Sequence, residues 1–317
     1  MKKILTLALA ALAMALGAPT DAGAVKLGVI AFQMSADTHA RTANAVEKAA
    51  KAKGWEVTVL NSRGSVPEHA AQLENLVQSG VDGIILAMGK VLQLDSQLAE
   101  AKAKGIPVIT IMSGTSANTL FDVNVNEFEV GAKIATHLLG LMNYQGGLLM
   151  ERYEGHGGTR ARGKVMDVVL SENTGIKLVG THTMAKTKSW REDVRSGMEA
   201  LLLKNQGKFS AVWTSFDGQA FVIDDLLRSQ GYKKGQVLLT GVDGGQEAFR
   251  RIRDSESLFT ATVAIPFERM GRAAVEAMDK IVVGKMKKDE LVSGPFLYMD
   301  AVLVDRTNVP AEGKWPW

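Results

Sequence analysis

The stretch that decides the fold is "VKLGVIAFQMSADTHARTANAVEKAAKAKGWEVTVLN", Val25 to Asn61. Its first eight residues are a near-continuous apolar run, which predicts a strand buried on both faces. "HARTANAVEKAAKAKG" then places apolar or small residues at helical spacing and stops on Gly54. "WEVTVLN" is a second strand. Strand, helix of more than ten residues, strand is the βαβ unit of a parallel sheet.

The same alternation continues on both sides of a restart near residue 145. In the first half, helices are expected over 67–80, 94–105 and 127–142, and strands over 81–87, 106–111 and 121–126. In the second half, "GGLLMER", "IKLVGTHT", "FSAVWTS", "QVLLTGV" and "LFTATVAI" are the strands, with "GPFLYMDAVLVD" closing the chain. Ten or more strands exceed one compact open sheet, so two similar Rossmann-like α/β lobes with parallel sheets are expected. A closed eightfold barrel is the alternative, and the restart counts against it.

Ahead of Val25, Lys2 and Lys3 precede the apolar run Ile4–Leu16, then "GAP" and the small-residue site Ala22-Gly23-Ala24. This is the three-part pattern of a secretory signal, expected over residues 1–24, and the run is short for a membrane span. The 317 residues contain no cysteine, which excludes disulfides, thiolate metal sites and a cysteine nucleophile. A net charge of +3 without a basic stripe argues against nucleic acid. No cofactor is expected.

In open parallel sheets, ligands bind beyond the carboxyl ends of the strands. The first-half tips carry Gln33, Ser35, Asp37 and His39, then Met112 and Ser113, then Asn124 and Asn126. The second-half tips carry Tyr153, Glu154, His156, Thr159 and Arg160, then Trp190, then Phe216 and Asp217, then Asp243 among glycines. Carboxylates, amides and arginine suit sugar hydroxyls, and aromatic faces suit the C–H side of a sugar ring. Asp37 and Asp217 can equally be helix N-caps, and Trp190 and Phe216 can be ordinary core. Trp213, inside a strand, is expected in the core. "GHGGTRARGKV" (155–165) comes within one residue of a P-loop, but Val165 stands where the Mg²⁺-binding hydroxyl is needed. No carboxylates are paired at a hydrolytic spacing, so an enzyme is not expected.

The segments "KLGVIAFQMSADTHA", "LENLVQSGVDGIILA", "AKAKGIPVITI", "GTRARGKV", "AVWTSFDGQA", "LLTGVDGG" and "FTATVAIPFERMG", in this order, resemble the type I periplasmic binding proteins. These are the ribose- and galactose-binding group of ABC-transporter solute receptors. The resemblance spans nearly the whole chain after residue 24. It implies a three-crossing hinge, with lobe one over 25–126 plus 266–290 and lobe two over 127–265 plus 291–317. It implies a periplasmic monomer that closes around a monosaccharide, amino sugar or sugar alcohol and delivers it to an ABC permease. Presentation of the ligand to a chemoreceptor or histidine kinase is the alternative. The family's R-x-R-G arginine falls here on Arg160, its glycine-flanked aspartate on Asp243 and its stacking aromatic on Trp190. The strand tips and the resemblance together give the expected ligand set Arg160, Asp243, Phe216, Asp217, Trp190, Ser35, Asp37, Gln33, Ser113 and Asn126. Three segments depart from the ribose-type pattern: Phe216 for an asparagine, Met112-Ser113 for Asp-Arg, and Ile265 for a glutamine. Ribose itself is therefore not carried over.

Overall fold

A computed structural model describes residues 23–317. The leader expected over 1–24 lies, except for its last two residues, outside the described residues. In the first lobe the chain runs β1 (Lys26–Ala31), α1 (Asp37–Ala52), β2 (Glu56–Asn61), α2 (Val66–Ser79), β3 (Gly83–Ala87), α3 (Asp95–Ala103), β4 (Val108–Ile111) and β5 (Asp122–Asn124). It crosses into α4 (Glu127–Leu141), β6 (Gly146–Tyr153), α5 (Gly157–Glu172), β7 (Ile176–Met184), α6 (Trp190–Lys204), β8 (Ala211–Thr214), α7 (Asp217–Ser229), β9 (Leu238–Asp243), α8 (Gln246–Arg253) and β10 (Phe259–Ala264). It returns through α9 (Phe267–Val282), α10 (Lys288–Leu291) and β11 (Phe296–Tyr298), and ends its regular structure in β12 (Val302–Val304).

Local chemistry explains the boundaries. The Ser65 hydroxyl accepts the Glu68 amide to cap α2, Pro67 sits in its first turn, and Gly80 closes it in the left-handed conformation at φ 69°. α1 buries Thr42, Ala43, Val46 and Ala50, one face at helical spacing. β3 and β4 are buried along their whole length, as strands covered by helices on both faces must be.

One sheet has the order β11-β5-β4-β3-β1-β2 and the other β12-β10-β9-β8-β6-β7. Within each, the first five strands in chain order adopt the doubly wound arrangement 2-1-3-4-5. The sixth strands differ: β11 pairs parallel with β5, whereas β12 pairs antiparallel with β10. The two α/β lobes with three connections are therefore those expected, with one correction. The last crossing was expected near residue 290 but falls between Tyr298 and Val302, because β11 completes the first sheet. Asp122 donates its amide to Pro295 O, and Met299 donates to Asn124 O. Lys133 of α4 then holds Ala301 O at 3.0 Å where the chain passes over. Trp213 is fully buried, as expected. Among the described residues no helix is long and apolar enough to cross a membrane.

Candidate functional site

A doubly wound sheet opens a crevice where its strand order reverses. Here those points lie between β1 and β3 in one lobe and between β6 and β8 in the other. The two crevices face each other and enclose a cavity of about 100 Å³. The first lobe supplies Phe32, Gln33, His39, Met88, Lys90 and Met112; the second supplies Tyr153, His156, Arg162, Trp190, Phe216 and Asp243. Three of these strand-tip residues have positive φ without being glycine: Met88 at 54°, Met112 at 52° and Asp243 at 135°. Such backbone is costly and gathers where a fold holds a ligand.

Arg162 is the centre of the second-lobe wall. It is only 2% exposed. Its Nε and Nη2 donate to the two oxygens of Glu127 at 2.6 and 3.0 Å, and its Nη1 donates to Ser215 O at 3.0 Å. The Asp243 carboxylate lies 3.6 Å from the same Nη1. Glu127 opens α4, just after Asn126 has capped it by accepting the Phe128 and Glu129 amides. A Cβ at Gly158 would run into the Glu127 carboxylate, so glycine there lets α5 come close enough for the fork. Burial pushes the Asp243 carboxyl well above the usual carboxylate range; Arg162 opposes this and Asp217 reinforces it.

The aromatic wall packs edge to face. Phe216 meets Trp190 with ring centroids 5.5 Å apart and Tyr153 at 6.2 Å. The Trp190 ring is buried, and its indole N–H has no hydrogen-bond partner. Opposite, the Lys90 ammonium sits 4.9 Å from the Phe32 ring centre.

The lobes touch around this cavity. Gln33 Nε2 donates to Thr187 O at 2.9 Å, Lys90 Nζ to Gly155 O at 2.8 Å, and Arg41 to Gly244 O. His156 Nδ1 accepts the Gly158 amide, so its proton sits on Nε2 and is donated across the cleft to Met112 O at 2.8 Å. Burial first, and Lys90 second, push His156 down to about 4. Burial and the neighbouring His156 push His39 down to about 3.

The expected residues divide. Gln33, Trp190, Phe216 and Asp243 line the cavity. Arg160 does not: it is exposed and donates to Glu154 O at 2.8 Å. Of the two arginines of R-x-R-G, Arg162 is the buried one and the one that lines the cavity. Asp217 is buried below the cavity, where its carboxylate accepts the Gly244 amide and the Thr262 hydroxyl and so ties β9 to β10. Burial pushes it up to about 7. It is the first helical residue of α7 and not its cap, which is Phe216. Asp37, likewise the first residue of α1, is exposed and faces Arg41 at 3.7 Å. Ser35 is exposed and only receives the Gln33 amide at 3.2 Å. Ser113 receives the Gly89 amide at 2.7 Å, and Asn126 is a helix cap. These two and Arg160 line a separate groove beside the crossings. The reading by strand tips missed Phe32, Met88 and Lys90. The tips of β1 and β3 carry them, and applying the same rule to "AMGKV" (87–91) would have found two of the three.

The profile of the periplasmic binding protein domain matches residues 27–286. The ribose import binding protein of Bacillus subtilis is 24% identical over 254 residues, 79% of either chain. The xylitol-binding protein of Mycolicibacterium smegmatis is 23% identical over 296 residues, 90% of this chain and 79% of that one. An Agrobacterium vitis ABC transporter solute binding protein solved with bound allitol superposes with a TM-score of 0.80 at 22% identity, covering 90% of this chain and 97% of its own. With two doubly wound lobes around one cavity and a family match over most of its length, the chain belongs to the periplasmic binding protein domain family.

Proposed function

We propose that this chain is the solute-binding component of an ABC importer, holding one small polyhydroxylated molecule between its lobes. The observation that carries the reading is the buried Arg162–Asp243 pair, facing the cavity beside Trp190 and Phe216. Arg162 is fixed in advance by Glu127, so it presents donors to a hydroxyl without having to be ordered on binding. The aromatic edges and methionines supply an apolar wall for C–H groups. A cavity of about 100 Å³ has room for roughly seven to ten water-sized groups at one probe volume each, the scale of a tetritol to a pentose. The bound sugars and alcohols of the relatives point the same way. Contacts from both lobes make closure the step that the ligand biases, and the closed form is the shape a permease in the inner membrane would read. The site residues proposed are Arg162, Asp243, Trp190, Phe216, Gln33 and Lys90. The protein acts as a monomer in the periplasm and catalyses no reaction.

The test is a thermal-shift screen of monosaccharides, amino sugars, sugar alcohols and sugar acids on the purified chain. A saturable rise in melting temperature with a stoichiometry of one by calorimetry is expected. No rise with any member of the panel would end the reading.

A further inference from the structure

We propose that the ligand carries a carboxylate, anchored by Lys90 and His39 of the first lobe, so that the cavity selects a polyhydroxy acid over the corresponding neutral sugar or polyol. This deepens the binding reading above and rests on it.

Arg41, Arg152, Arg162 and Arg251 each meet a carboxylate within salt-bridge distance. Lys90, half-buried at the tip of β3, meets none among the described residues. The one hydrogen bond of its ammonium goes to the Gly155 carbonyl at 2.8 Å. A cation drawn out of water without a counter-charge is unfavourable, and closure of the lobes places it in that position. The nearby charges worsen this, since burial first and Arg160 second lower the Lys90 pKa.

Other open groups are also donors. His39 Nδ1 accepts the Gln33 amide at 3.3 Å, which puts its proton on Nε2. That N–H has no partner among the described residues, and His39 lines the cavity. The Trp190 ring lines the same space, and its buried indole N–H is unpartnered among the described residues. The carboxylates, by contrast, face partners: Glu127 is held by Arg162, Asp217 by Gly244 and Thr262, and Asp243 lies 3.6 Å from Arg162, which leaves Gln33 Oε1 as an open acceptor on the wall. A neutral polyol offers each hydroxyl as donor and acceptor and needs both kinds of partner. A carboxylate only accepts, and it supplies the missing negative charge. Burial raises the pKa of Asp243 and lowers those of His39 and His156, which fits the same picture because neutral neighbours leave the charge of Lys90 uncompensated.

The test is calorimetric titration of the wild-type chain and Lys90→Met with matched pairs: D-xylonate against xylitol, and D-gluconate against D-glucose. Methionine keeps the apolar stem over Phe32, and melting of the variant without additive checks that it folds. In the wild type the acid of at least one pair should bind about tenfold or more tighter than its neutral partner, the worth of one charge-assisted hydrogen bond. In Lys90→Met that ratio should fall towards one, and in the wild type it should shrink as salt is raised. A wild-type protein that prefers the neutral partner, or a ratio unchanged by Lys90→Met, overturns the proposal and leaves the binding reading standing. Binding of no sugar, polyol or acid overturns both.

Discussion

The two lobes present the same strand order to the cavity and opposite degrees of preparation. In the second lobe, the tips of β6, β8 and β9 carry groups already wired to each other. Arg162 is gripped by Glu127, Ser215 and Asp243, while Phe216 is wedged between Tyr153 and Trp190. In the first lobe, the tips of β1, β3 and β4 carry Phe32, Met88, Lys90 and Met112, with the one charge among them unpaired by any carboxylate. The difference follows from what packs behind each wall. α4 and α5 meet closely through Gly131 and Gly158 and bring a buried carboxylate to the arginine, whereas among the described residues Lys90 has no carboxylate within salt-bridge distance and bonds only the Gly155 carbonyl through its ammonium. One lobe is therefore a rigid half-site, and the other becomes a site only when ligand and second lobe arrive together.

Breaking the prepared half should have the largest effect. Arg162→Met leaves Glu127 buried without its partner, at a cost of about 3–5 kcal/mol by urea unfolding, together with loss of ligand binding. Adding Glu127→Met should recover much of the stability and none of the binding. If the double variant binds like the wild type, the second-lobe wall is not the receptor.

Next is the contact by which the second lobe grips the first. His156 is pushed down to about 4 in the folded chain, from an ordinary 6.5. The unfolded chain takes up the proton first, so this stabilisation is complete above pH 6.5 and is lost as pH falls from there towards 4. His156→Gln removes the titration. The stability advantage of wild type over variant should shrink by about 3 kcal/mol across that window, measured by denaturant unfolding at several pH values. A difference that is flat with pH would mean the histidine is not held neutral.

A smaller effect sharpens the aromatic wall. Trp190→Phe keeps a ring against Phe216 and removes the unpartnered N–H. Ligand affinity should fall by about 1 kcal/mol by calorimetry, with a stability loss of about 1 kcal/mol in the unliganded chain from the void left by the smaller ring. The smallest effect is expected outside the cavity: Arg160→Ala should change ligand affinity by less than about 0.5 kcal/mol in the same titration.

This last contrast shows where the sequence was legible. Apolar runs buried on both faces and helices ended by glycine were enough to place both sheets, since each signal spans many residues. The family motif alone does not say which of Arg160 and Arg162 faces the cavity; the start of α5 at Gly157, behind the His156 cap, does. Residues 160 and 162 lie about 200° apart on a helix, so only one of them can face the cleft, and the position of the cap decides which. β11 and β12 were read as one closing segment because strands of three residues are too short to show a period. Lys90 carried no motif. It reaches the cavity because Met88 turns the chain left-handed at the end of β3, which composition does not reveal.

The central claim is that the ligand is held by Arg162 in the interlobe cavity, and side-by-side calorimetry of wild type, Arg160→Ala and Arg162→Met with the best ligand of the screen tests it most directly. The account predicts one site per chain, near-wild-type affinity for Arg160→Ala and no measurable binding for Arg162→Met. Binding retained by Arg162→Met and lost by Arg160→Ala would contradict it.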